Sequence, residues 1–170
     1  MAIRKILYET DPVLRKKSKP VSIFDNNLKE LFDDMQDTLD KAEGAGLSAV
    51  QVGILKRMFI IFDNDKPVRV VNPEILKSSG KCKITAEGCL SVPQKWGDVE
   101  RPNYVLARYQ DQTGKIIERE FKDFSAKAFC HEFDHLDGIL FIDKAQNLCN
   151  SYEEYYRLKQ KSKKNKKEEN

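Results

Sequence analysis

The chain has 170 residues, 40% of them hydrophobic and 34% charged, which fits one domain with room for a core and excludes a multi-domain machine. No stretch reaches the ~18 to 20 consecutive apolar residues of a membrane span, and the opening MAIRKILYETDPVLRKK lacks the apolar run of a signal peptide, so a cytoplasmic protein with no membrane partner is expected. The net charge of +3 is uneven: residues 157–170 hold Arg157 and six lysines against Glu168 and Glu169, +5 in all, which leaves −2 for the rest.

Leu28, Leu31, Phe32, Met35 and Leu39 recur at i, i+3, i+4, i+7 and i+11, so the segment from Asp25 to a stop at Gly44 predicts an amphipathic helix. The glycine-punctuated GAGLSAVQVG, 44–53, predicts a loop or a strand with close backbone contacts. Short segments rich in Val, Ile, Tyr and Phe at 58–63, 68–72, about 82–86, 99–109 and 115–121 read as strands, with DQTG at 111–114 as a hairpin turn. A second helix is predicted from Asp123 or Ser125 to Gly138, and a third from near Ser151, fraying into KQKSKKNKKEEN. Helices flanking a block of strands without βαβ alternation predict an α+β fold, with short antiparallel strands packed around the second helix. Cys82, Cys89, Cys130 and Cys149 form no CxxC pair and read as free thiols, one of them available to a metal.

The two histidines of the chain are His131 and His135, in HEFDH at 131–135. One helical turn apart, they fall within about 40° of one face and about 6 Å along the axis, so both rings can meet one metal ion. Glu132 lies about 100° around from His131, too far to ligate easily and near enough to act as base towards a metal-held water. Such pairs also occur on solvated helices. Here Phe124, Ala128, Phe129, Phe133 and Leu136 predict a buried helix, where imidazoles need partners. The chemistry implied is hydrolysis. With no third histidine, a cysteine or a carboxylate must complete the site. Cys89 in EGCLSVP is one candidate, although a lone cysteine is commonly a small buried hydrophobe. Glu153 or Glu154 is the other, which would make the chain a small zinc peptidase. Cys130 faces about 100° away from His131 and is not a candidate. Asp134 could orient a ligating imidazole or simply face solvent.

GAGLSAVQ at 44–51, EGCLS at 87–91 and HEFDH at 131–135 resemble, in order and separation, the three signature motifs of bacterial peptide deformylases. DPVLR at 11–15 resembles that family's N-terminal region, and the likeness spans roughly residues 3–145. One departure is Ser48, where the family's G-x-G-x-A-A-x-Q has its first alanine. The resemblance implies that Cys89, His131 and His135 bind the metal with water fourth, and that Glu132 is the acid/base. It implies further that Gln51 and the backbone N–H of Leu90 bind the developing oxyanion. The reaction implied is removal of the formyl group from formylmethionyl nascent peptides, with release of formate. Residue types alone favour zinc, whereas the resemblance implies Fe2+, with Zn2+, Ni2+ or Co2+ able to substitute. Gly46 is expected to let the peptide backbone approach, and Phe124 and Ala128, on the face of His131, to line an apolar methionine pocket. Residues 1–150 are expected to form the catalytic unit and 151–170 a helix with a basic, partly disordered tail. That tail suggests ribosomal RNA as a partner, since lysines neutralise phosphates; no DNA partner is expected.

Overall fold

The computed structural model of the chain describes residues 2–80 and 82–168, the side chains of 162–168 excepted. Helix α1, Asn26–Lys41, starts at Asp25, whose carboxylate accepts from the backbone N–H of Leu28 at 3.0 Å. Its buried stripe of Leu28, Leu31, Phe32, Met35 and Leu39 is the one the spacing predicts. The helix stops three residues short of Gly44, and Glu43 turns the chain with φ +51.

Strands β1 (Gly46–Ser48), β2 (Met58–Asp63), β3 (Lys66–Ser78), β6 (Tyr104–Gln110) and β7 (Ile116–Lys122) form an antiparallel sheet in the order β1-β2-β3-β6-β7. Strands β4 (Cys82–Cys89), β5 (Val92–Pro102) and β8 (Gln146–Cys149) form a second, in the order β4-β5-β8. The larger sheet is covered on both faces, so the whole run Met58 to Ile61 is buried instead of alternating. Met58 and Ile60 pack towards α1, whereas Phe59 and Ile61 pack towards α2, Asp123–His135, together with Phe121 and Phe129. The Phe59 and Phe129 rings meet edge to face at 5.2 Å. Helix α2 is therefore central, flanked by the larger sheet on one side and the β4-β5 hairpin on the other.

Three strand expectations change. The expected strand 99–109 is two, because the chain leaves the small sheet at Pro102 and enters the large one at Tyr104. Proline has no N–H to extend a ladder, and Asn103 between them bonds Ser79 and Asp123 instead. Strand β3 runs past the expected end at Asn72 through a bulge at φ +48, where the Asn72 amide bonds both backbone groups of Val21. Strand β8 was not anticipated. GAGLSAVQVG holds β1 and then a 3-10 turn, Ala49–Val52, ended by Gly53 at φ +82.

Helix α2 begins with Ser125 as a local clamp, its hydroxyl accepting from the Lys122 N–H. Gly138, at φ +74, closes the turn after the helix, and a Cβ there would stand 2.5 Å from the Arg15 carbonyl oxygen. Helix α3, Tyr152–Glu168, docks on the small sheet through buried Asp98, which accepts from Tyr155 Oη at 2.5 Å, Lys159 Nζ at 2.6 Å and Asn147 Nδ2 at 2.8 Å. The backbone is helical to Glu168. That includes 159–168, most of the segment expected to fray; residues 169–170 and the side chains of 162–168 lie outside the described residues. Among the described residues no helix is long and apolar enough to cross a membrane.

Candidate metal centre and active cleft

Cys89 ends β4 immediately before the Leu90–Ser91 turn, and α2 presents His131 and His135 towards it. The ligand atoms of these three residues lie within 4.8 Å of one another, the only such group among the described residues. Cys89 Sγ stands 3.3 Å from His135 Nε2. Donors held at ~2.0 to 2.3 Å by one tetrahedral ion would be roughly 3.3 to 3.8 Å apart, so the chemistry and spacing of this set fit a divalent metal. Glu153 and Glu154 do not join it. Glu153 is exposed on α3, and Glu154 accepts from the Asn150 N–H at the start of that helix.

The carboxylate that orients a histidine is Glu87, not Asp134. Glu87 Oε2 lies 2.9 Å from His131 Nδ1, which turns Nε2 of that ring towards the other ligands. Asp134 instead accepts from Arg101 at 2.6 Å and from Lys144. Arg101 also grips Glu87 through two nitrogens, at 2.8 and 3.0 Å. Burial opposes charge on Glu87, yet the bonds from His131 and Arg101 prevail and bring its pKa down to about 2. Burial likewise opposes charge on His131, but the Cys89 sulfur and Glu87 push its pKa up to about 10. His135 moves the other way, well below the usual imidazole range, through burial and the charge on His131. Cys130, on the core-facing side of α2, is buried, and burial raises its thiol pKa to about 11, so it stays a packing residue. Glu87 was legible in principle: two residues before Cys89 on a strand, it shares that residue's face.

Glu132 is 3% exposed. Its Oε2 accepts from the Ser48 hydroxyl at 2.7 Å, and burial raises its pKa against the His131 charge and that bond. Gly46 lines the cleft, and its missing Cβ leaves room for this carboxylate, since a Cβ would stand 2.6 Å from Glu132 Oε1. Gln51 is buried, and its Oε1 accepts from the Ser48 N–H at 2.8 Å. That bond fixes which way the amide faces. Its Nε2 accordingly donates to Ser91 Oγ at 3.1 Å and lies 3.5 Å from Cys89 Sγ.

These groups share one cleft of about 370 Å³. Leu90 and Trp96 come from the β4-β5 hairpin, and Phe124 and Ala128 from α2. Phe124 is exposed at the mouth, whereas Ala128 is buried. His135 stands behind the cleft, buried among its neighbours.

The profile of the polypeptide deformylase family matches residues 3–151. The chain belongs to that family. It is 51% identical over 144 residues to peptide deformylase 1 of Clostridium acetobutylicum, covering 85% of this chain and 95% of that one. It is 46% identical over 160 residues to the peptide deformylase of Finegoldia magna, covering 93% and 98%. Among solved structures, the peptide deformylase of Thermotoga maritima superposes with a TM-score of 0.84 at 41% identity, covering 86% of this chain and 99% of that one. A class I type b peptide deformylase from Acinetobacter baumannii, crystallised with Met-Ala-Ser, superposes at 0.80 and 35% identity, covering 84% and 98%. The family's reaction is metal-dependent hydrolysis of the N-formyl group of formylmethionine at the start of new polypeptides. The zinc peptidase reading, with a third ligand from α3, is set aside.

Proposed function

We propose that Cys89, His131 and His135 hold the metal and that Glu132, Gln51 and the backbone N–H of Leu90 carry out deformylation around it. The observation that carries this reading is the convergence of all six residues on one site, from three segments far apart in sequence. A divalent ion supplies Lewis acidity, bringing the pKa of water towards ~7 and drawing charge from a carbonyl oxygen. Glu132 takes the proton of the attacking water on the oxygen that faces Gly46, and a carboxylate with a raised pKa suits a proton taken and returned near neutral pH. Gln51 Nε2 and the Leu90 N–H donate to the formyl oxygen as negative charge grows there. Glu132 then gives its proton to the leaving amine, so formate departs and the peptide keeps a free N-terminal methionine. Phe124 and Ala128, facing Leu90 and Trp96, form the apolar walls for the methionine side chain. Gly46 leaves space for the peptide backbone as well as for Glu132.

One thiolate with two imidazoles suits Fe2+ as the native ion, with Zn2+, Ni2+ or Co2+ as substitutes. Residues 1–150 form the catalytic unit, acting in the cytoplasm on formylmethionyl nascent peptides. The basic end 151–170 docks it on ribosomal RNA. The ligand assignment is tested by metal content: Cys89→Ala should lose the stoichiometric ion and Glu154→Gln should keep it, and the reverse pattern would reject it. For the tail, Lys159 anchors α3 to Asp98, so a truncation should start after it. Removing 161–170 should weaken ribosome co-sedimentation at low salt without changing activity on short formyl peptides; unchanged co-sedimentation would reject the docking role.

A further inference from the structure

We infer that Ser48, where the family pattern has alanine, is a positioning residue for the deformylation step: its hydroxyl holds one carboxylate oxygen of Glu132 and leaves the other for proton transfer. The inference rests on the assignment of Glu132 as the acid/base.

Ser48 ends β1 and is fully buried against α2. Its hydroxyl stands 2.7 Å from Glu132 Oε2 and 3.0 Å from the Glu132 backbone oxygen. Both are acceptors, so the single hydroxyl proton is aimed at Glu132 from an orientation shared between its main chain and its side chain. Oε2 is thereby occupied. Oε1 lies against Gly46 in the cleft wall, where only the absence of a Cβ leaves it room. A glutamate otherwise has three rotatable side-chain bonds, and the bond on one side and the Gly46 backbone on the other reduce them to one arrangement.

The main chain of Ser48 serves the second group of the site. Its N–H donates to Gln51 Oε1 at 2.8 Å and so turns Gln51 Nε2 towards Cys89 and Ser91. One residue therefore sets both the carboxylate that moves the proton and the amide that meets the oxyanion. Any residue type but proline supplies the backbone bond, so an alanine keeps the Gln51 half of the arrangement. The hydroxyl half belongs to serine, and it tightens a group used in the chemical step without touching a metal ligand or the walls of the substrate cleft.

The test is Ser48→Ala in the metal-loaded enzyme with formyl-Met-Ala-Ser, a change that removes one oxygen from a packed site. One hydrogen bond to a carboxylate used in the transition state predicts a kcat about 3- to 10-fold lower with KM unchanged. The Co2+-loaded variant should hold one ion per chain with the d–d absorption of the parent. Unchanged kcat would overturn the inference. So would a fall in kcat matched by lost metal, an altered Co2+ spectrum or a proportionate rise in KM, which would mark a merely structural role. Absence of formate release by the parent protein would instead defeat the assignment of the reaction.

Discussion

Replacing Glu87 by Gln probes the buried charge network behind the metal site. Glu87 keeps 1% of its side-chain surface exposed and bonds His131 and two nitrogens of Arg101. Glutamine has the same shape, but one of its two oxygens becomes an NH2 donor facing an N–H of Arg101 or His131. Its neutral amide also leaves Arg101, 5% exposed, with Asp134 as its remaining counter-charge. Breaking a buried pair in this way costs about 3 to 5 kcal/mol. Linkage gives a similar figure: a carboxyl brought from 4.5 to about 2 contributes about 3 kcal/mol at neutral pH. Because the folded pKa is depressed, that contribution is present above about pH 4.5 and is lost as pH falls towards about 2. Urea unfolding of metal-free protein should therefore show E87Q less stable by about 3 kcal/mol at pH 7, with the gap closing towards pH 2. Metal titration should show affinity about 10- to 100-fold weaker, since His131 loses the acceptor that orients it. Equal stability at pH 7, or a gap that does not change with pH, would refute this account of Glu87.

Three further outcomes follow from the same geometry. In metal-free protein His131 holds its proton to a pKa of about 10, so metal binding at pH 7 must release it. Calorimetric enthalpies of Zn2+ binding should vary with the ionisation enthalpy of the buffer, and affinity should rise with pH towards 10; a buffer-independent enthalpy would contradict this. Gly46→Ala should lower kcat by at least about 10-fold and cost about 1 to 3 kcal/mol of stability, because its Cβ would stand 2.6 Å from Glu132 Oε1 and 2.9 Å from its Cγ and about 1 Å of misplacement is enough for such losses; parental kcat would show that the carboxylate has slack. Asp98→Ala should cost about 2 to 3 kcal/mol by removing the acceptor shared by Tyr155, Lys159 and Asn147. Amide exchange should then speed up over 152–159 and leave α2 protected, whereas uniform exchange would mean that α3 is not held there.

What could be read in the sequence was what local spacing controls. Helix α1 and strand β2 fall where their patterns put them, since capping by Asp25 and the run MFIIFD need no distant partner. Residues 99–109 read as one strand because sheet membership is decided non-locally: nothing in the run VERPNYV states that Asn103 bridges two sheets. Asn72-Pro73 reads as a stop, and only the contact of Asn72 with Val21, 51 residues away, turns it into a bulge within a longer strand. At the site, the scarcity of histidine singles out HEFDH and makes Cys89 a candidate third ligand, and the structure brings Cys89 beside His135. The choice of Glu87 over Asp134 depends on which face of α2 meets β4, and the Ser48 to Glu132 contact spans 84 residues. Gly46 was legible as a close approach, but not that the group approaching would be the chain's own carboxylate.

Formate release from formyl-Met-Ala-Ser, measured with anaerobically prepared, Fe2+-loaded protein and with its Glu132→Gln variant, asks whether Glu132 moves the proton beside a metal held by Cys89, His131 and His135. The parent should turn over steadily, and the variant should lose about 3 to 5 kcal/mol of barrier lowering, on the order of 10² to 10⁴-fold for the removal of one acid/base, at equal metal content. No formate from the iron-loaded parent, or equal rates from the two proteins, would contradict these assignments.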